Sequence, residues 1–267
     1  MDKATSGWVP FDPATGDWTP DPALPTPAGP AALPPDARRH GLGPTLWSVL
    51  LGIDIGLMAV ALLYEAVSLL RGEGSGVAGS TDLQRLLWGQ VVFNLLTLGL
   101  IPFAWVMGTR VRPWEGALLY LRLHHPGKGI VQGALWGLAT LGGLVLLGYA
   151  LKSSGTEAPN PQADALLCAM TPTLALALAL SAGIGEEIFF RGLLQKRLGV
   201  WGQAIVFGLF HLSYGTPLQV IIPALLGLLY GFLVRRGAPL WVPITAHFLF
   251  DYVQLSSPFW LPVGMAC

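Results

Sequence analysis

Charge is scarce in this chain. Only 11% of its 267 residues are Asp, Glu, Lys or Arg, where an average soluble domain carries about 25%. The two signs cancel, 15 against 15, so there is no basic footprint for nucleic acid and no nucleic-acid partner is expected. Cysteine is nearly absent. Cys168 and Cys267 form no CxxC and no metal-type spacing, which excludes a zinc-finger reading and lends no support to a disulfide. The first 40 residues contain no apolar h-region, so no cleavable signal peptide is expected and the first spanning helix should itself direct insertion.

What the chain has instead is apolar length. Hydrophobic residues make up 53% of it, with a mean hydropathy of +0.58. Several runs approach or exceed the ~18–20 residues that span a bilayer as helix. The expected fold class is therefore all-α: a polytopic membrane bundle of about seven transmembrane helices over residues 41–267. Residues 1–40 are polar and Pro-rich and are expected to form a disordered cytoplasmic tail. Within it, Trp8-Val9-Pro10-Phe11-Asp12-Pro13 is echoed by Trp18-Thr19-Pro20-Asp21-Pro22; the pattern reads as a linker with stray aromatics rather than an interaction motif.

The apolar segments run from about Leu46 to Leu70, Leu86 to Met107, Ile130 to Leu151, Pro172 to Leu198, Val200 to Tyr214 and Leu218 to Val234. A last one starts between Pro239 and Pro243 and ends near Leu255. Thr171-Pro172 is an N-cap followed by proline at the first helical position. Gly199 breaks the fourth segment, and Gly215-Thr216-Pro217 is a turn. With seven crossings, four basic clusters fall on one side: Arg38 and Arg39; Arg110, Arg112, Arg122 and Lys128; Lys196 and Arg197; Arg235 and Arg236. The opposite loops carry only Arg71, Arg85 and Lys152. The positive-inside rule then places the N-terminus in the cytoplasm, and a prokaryotic plasma membrane is the expected location.

A few ionisable residues interrupt the apolar segments. They are Glu186-Glu187-Ile188-Phe189-Phe190-Arg191, Phe207-Gly208-Leu209-Phe210-His211 and His247-Phe248-Leu249-Phe250-Asp251. Such a group at bilayer depth costs roughly 3 kcal/mol on insertion scales and needs partners or a function. At 1.5 Å per residue, Glu186 lies about 18 Å from Leu198, His211 about 16 Å from Val200, and His247 about 6–12 Å from the start of its helix, so the three reach comparable depth. Glu187 and Arg191 are four apart and can pair on one face, as can His247 and Asp251. Glu186 is rotated by about 100° from Glu187, so Glu187 with Arg191 reads as structural support while Glu186 points at the site.

One carboxylate and two imidazoles can do two related things. Glu186, His211 and His247 can ligate a divalent metal such as zinc, leaving a position for water. Alternatively, Glu186 can act without metal as general base on a water held by the histidines. Both arrangements activate water and point to hydrolysis in a cytoplasm-facing cavity. The chain has no H-E-x-x-H and no G-x-S-x-G, and Asp54 and Asp251, the only candidates for an aspartyl dyad, lack a supporting glycine motif.

E-E-x-x-x-R, F-x-x-x-H and H-x-x-x-[N/D], in this order over about residues 170–256, resemble the CPBP family (CAAX protease and bacteriocin-processing, Abi) of intramembrane proteases. Phe190-Arg191-Gly192-Leu193-Leu194 is also similar to that family. The resemblance implies a membrane-embedded catalytic cavity and a membrane-associated peptide or protein substrate. It also implies that Glu186 activates the attacking water, with His211 and His247 helping to hold it. Family members often carry Asn where this chain has Asp251, and an ionised Asp cannot donate a hydrogen bond. Asp251 is nonetheless placed in the catalytic set, with Glu187 and Arg191 in support.

Singly, these residues have structural explanations. Asn94 and Gln90 read as interhelical hydrogen-bonding groups, Asp54 and Glu65 as structural or interface groups, His124 and His125 as solvent-facing, and the helix glycines as close-packing positions. Two other functions remain open at this point: a non-catalytic immunity or scaffold protein, and a metal or proton transporter.

Overall fold

A computed structural model of the chain describes residues 42–71, 80–109, 114–123, 126–155, 160–214 and 216–259. The tail with its repeated Trp-Pro motif, Arg110, Arg112, His124, His125 and Cys267 lie outside the described residues. All regular structure among the described residues is helical. The order is α1 (Leu42–Leu70), α2 (Ser80–Phe93), a π-helical turn (Asn94–Leu100), α3 (Ile101–Thr109), α4 (Trp114–Tyr120), α5 (Pro126–Ser153) and α6 (Pro161–Cys168). Then follow α7 (Pro172–Glu187), a second π-helical turn (Ile188–Leu194), α8 (Gln195–Leu209), α9 (Leu218–Arg235) and α10 (Trp241–Leu255).

Each of the seven apolar segments is helical, and the short α4 and α6 are additions that periodicity did not reveal. Among the described residues, five stretches are long and apolar enough to cross a bilayer: Thr45–Ser68, Asp82–Thr109, Pro126–Ser153, Pro172–Tyr214 and Leu218–Arg235. The fourth, at 43 residues, is redirected where Gly199 takes φ 69° and ψ −178°, a left-handed conformation that glycine enters without a Cβ clash. The chain is a multi-pass helical membrane protein.

Local chemistry sets the helix ends. The Leu174 N–H donates to Thr171 Oγ1 at 3.2 Å and Pro172 occupies the first turn, satisfying an otherwise orphaned donor and fixing the entry to α7. Asn160 does the same for α6, accepting from the Ala163 N–H at 3.2 Å. On the other side of the bundle, α4 and the turn after it are strapped to the helix ends. Arg122 Nη1 donates to the Val234 carbonyl at 2.6 Å, Lys196 Nζ to that of Tyr120 at 2.6 Å, and Trp241 Nε1 to that of Leu123 at 2.9 Å.

Small residues bring the helices together, as they must where lipid tails are as apolar as leucine. On α5, Gly129, Gly133 and Gly137 face α10; a Cβ on Gly133 would stand 2.5 Å from the Val242 carbonyl oxygen and 2.6 Å from Thr245 Cβ. Gly183 of α7 meets the Ile244 carbonyl of α10, and Gly185 meets the Asn94 carbonyl of the first π turn. Gly208 and Gly227 join α8 to α9 in the same way. Helix α7 thereby sits at the centre, between the first π turn and α10. Polar links reinforce this: Gln90 Nε2 donates to Asn94 Oδ1 at 2.8 Å, and Asn94 Nδ2 to Ser181 Oγ at 3.4 Å. Cys168, at the end of α6, is disulfide-bonded, a pairing that the cysteine spacing had not suggested.

Candidate active site

The polar residues of the three motifs come from the end of α7, the π turn after it, the end of α8 and the middle of α10. The glycine contacts explain why they meet: Gly183 lets α10 approach α7 one turn before the Glu pair. The chain then leaves regular α-helix at Ile188, and the wider π turn carries Arg191. Interruptions of this kind are frequent at functional sites.

Glu187 is the anchor. Its Oε1 accepts from Arg191 Nη1 at 2.7 Å and pairs with His247 Nδ1 at 2.8 Å. Both Glu187 and Arg191 side chains are fully buried. Beyond its pair with Arg191, the same oxygen also fixes the imidazole of α10. With Nδ1 donating to Glu187, the other ring nitrogen can bond a carboxylate only if it too carries a hydrogen, which makes the ring an imidazolium. That nitrogen, Nε2, lies 3.3 Å from Asp251 Oδ2 and 3.9 Å from Glu186 Oε2. The i,i+4 pairings of Glu187 with Arg191 and of His247 with Asp251 are both present.

His211 enters differently. Its Nδ1 is 2.9 Å from the Phe207 carbonyl of its own helix, so it donates there and leaves Nε2 as an acceptor. Phe207 stands between the two histidines, with ring centroids 5.1 Å from His211 and 5.8 Å from His247. Its face also receives the Arg191 guanidinium at 4.3 Å, a cation–π contact that takes the place of solvent. Phe190 packs edge-on against Phe207 and Phe210, at 4.9 and 5.4 Å. The site is thus walled by aromatics on the α8 side.

Some buried polar atoms have no hydrogen-bond partner among the described residues: Glu186 Oε2, Glu187 Oε2, Arg191 Nε and Nη2, and the Tyr230 hydroxyl. Tyr230, with its ring 5.7 Å from the guanidinium, is a residue that sequence reasoning passed over. A tyrosine with a buried hydroxyl inside an apolar helix was the available signal. Among the described residues, no group of three or more His, Cys, Asp or Glu gathers at metal-holding distance.

Residues 169–253 match the model of the Rce1-like family, described as type II CAAX prenyl endopeptidase Rce1-like. That stretch contains Glu186, Glu187, Arg191, His211, His247 and Asp251, and over it the resemblance carried by the three motifs is shown. A curated relative, described as an uncharacterized protein YpbD of Bacillus subtilis (strain 168), is 35% identical over 77 residues. The aligned part covers 28% of this chain and 41% of the relative, so the chain spans less than half of that relative's length. No solved structure matches.

Proposed function

We propose that this multi-pass membrane protein, whose segment 169–253 matches a prenyl endopeptidase family, hydrolyses peptide bonds of membrane-associated substrates through a water activated by Glu186. One observation carries the reading. Glu186 Oε2 is buried, accepts no protein hydrogen bond among the described residues, and stands 3.9 Å from Nε2 of a histidine clamped at its other nitrogen. That separation is too long for a direct hydrogen bond and suits two groups that share a water.

In this mechanism Glu186 removes a proton from the shared water as its oxygen attacks the scissile carbonyl. His247, with Nε2 standing between Asp251 Oδ2 and Glu186 Oε2, orients the same water. Glu187, itself neutralised by Arg191, holds the His247 ring angle. His211, with Nδ1 committed to the Phe207 carbonyl, offers Nε2 as a further acceptor. The low dielectric of the apolar surroundings strengthens each of these interactions relative to water.

The family name suggests a substrate with a prenylated cysteine near its C-terminus. The basic loops support a cytoplasmic N-terminus in the plasma membrane, a reading that labelling of engineered tags on either side would test. For the activity, wild type and Glu186→Gln are compared in cells by mapping new termini in the membrane proteome. They are also compared in proteoliposomes on a quenched prenylated peptide. Cleavage by wild type and its loss in Glu186→Gln are expected. Equal cleavage by the two would remove Glu186 from the mechanism, and no cleavage by wild type would remove the peptidase reading and leave the scaffold one.

A further inference from the structure

His247 is held in the middle of α10 by its bond to Glu187, whereas His211 lies beyond the end of α8, which closes at Leu209. Among the described residues the His211 imidazole bonds only to the Phe207 carbonyl of its own helix. Its place is set by the turn it begins. Its N–H donates to the Gly208 carbonyl at 3.0 Å, and its carbonyl accepts from the Tyr214 N–H at 3.2 Å. The Tyr214 ring lies along the imidazole, with centroids 5.9 Å apart and planes at 25°. Leu212–Tyr214 is a short 3-10 turn with no buried side chain of its own. Such a turn has poorer hydrogen-bond geometry than an α-helix and needs an outside fastener to hold one position.

Asn160 supplies it. The two ends of its side-chain amide serve different segments. Oδ1 accepts from the Ala163 N–H at 3.2 Å and caps α6, while Nδ2 donates to the Tyr214 carbonyl at 3.4 Å. An ionised Asp would cap as well but has no N–H to give. Asn160 is itself a fixed point, because α6 is fastened at its other end. Gln84 Nε2 of α2 donates to the Ala169 carbonyl at 3.0 Å. Leu166 packs against the apolar cluster that α2 forms with the start of α7, and Cys168 is disulfide-bonded. Only Met170 and Thr171 then separate Ala169 from the first residue of α7. The bond from Asn160 to Tyr214 therefore ties the His211 turn to the helix that carries Glu186.

We propose that Asn160 is a positioning residue: through its bond to the Tyr214 carbonyl, α6 sets the place of His211 relative to Glu186. The proposal rests on the peptidase reading above, in which both side chains meet one water. A displacement of about 1 Å at such a contact costs about 10²-fold in rate, so a strap remote from the chemistry has a large effect on it. Asn160 acts through the turn and takes no part in the bond changes.

The test uses the full chain in proteoliposomes with the quenched prenylated peptide, and thermal unfolding in detergent alongside. Asn160→Asp keeps the α6 cap and removes the N–H directed at Tyr214. Its kcat should fall by about 10–10²-fold, with KM and melting temperature those of wild type. In NMR spectra of protein carrying isotope-labelled histidine, the His211 ring signals should move and those of His247 should stay. Unchanged kcat in Asn160→Asp beside an inactive Glu186→Gln overturns this proposal alone. So does a fall in kcat with an unmoved His211 signal, or one that follows a lowered melting temperature, because Asn160 would then be structural. No cleavage by wild type sinks the peptidase reading and this one with it.

Discussion

Helix α5 and the Pro172–Tyr214 stretch are both apolar enough to cross a bilayer, yet they meet different surroundings. Only 11% of the most apolar window of α5 lies inside the protein, against 67% for Pro172–Tyr214. Leu146 and Tyr149 of α5 are 71% and 74% exposed and would face lipid. Glu187, Arg191 and Phe190 in the second stretch are enclosed on every side. Hydropathy alone does not separate a lipid-facing helix from a central one. The separation comes from where the polar atoms and the glycines point: α5 shows one glycine face to α10, whereas α7 shows both glycines and polar groups to α10 and to the first π turn.

Four substitutions test that contrast, in falling order of effect. Glu186→Gln should lower cleavage by about 10²–10⁴-fold, the usual worth of a positioned general base, with the melting behaviour of the protein retained; a variant that unfolds instead would make Glu186 structural. Arg191→Leu leaves the buried Glu187 without its guanidinium and with His247 as its remaining partner, and should destabilise the fold by about 3–5 kcal/mol. Reversible unfolding in mixed detergent measures it, and a loss no larger than that of a lipid-facing substitution would mean the pair is not the anchor of His247.

The other two lie on α5 itself. Gly133→Ala drives a methyl into the Val242 carbonyl and Thr245, and should destabilise by about 1–3 kcal/mol, as overpacking does. Gly142→Ala meets open space and should shift stability by no more than about 0.5 kcal/mol. If the two glycines respond alike, α5 does not pack on α10 as described.

Much of the fold was legible beforehand because a bilayer imposes a length and a period. The Thr171-Pro172 start of α7 and the Gly199 break both follow from backbone chemistry that a short window contains. The short α4 and α6 were not visible, since seven or eight residues carry too little periodicity. The i,i+4 pairs Glu187–Arg191 and His247–Asp251 were legible for the same local reason. The bond from Glu187 to His247 was not, because it joins residues sixty positions apart. Phe207 was noted only as part of a motif; that its ring separates the two histidines depends on how α8 crosses α10.

Apolar length and the scarcity of charge settled, without any coordinates, that this is a helical membrane protein, and the residue types of the three polar motifs pointed to hydrolysis. Each is a property of one segment read in isolation. Which carboxylate holds the imidazole was decided only by packing, because glycine contacts between α7, α10 and the first π turn set the angles at which side chains from separate helices meet.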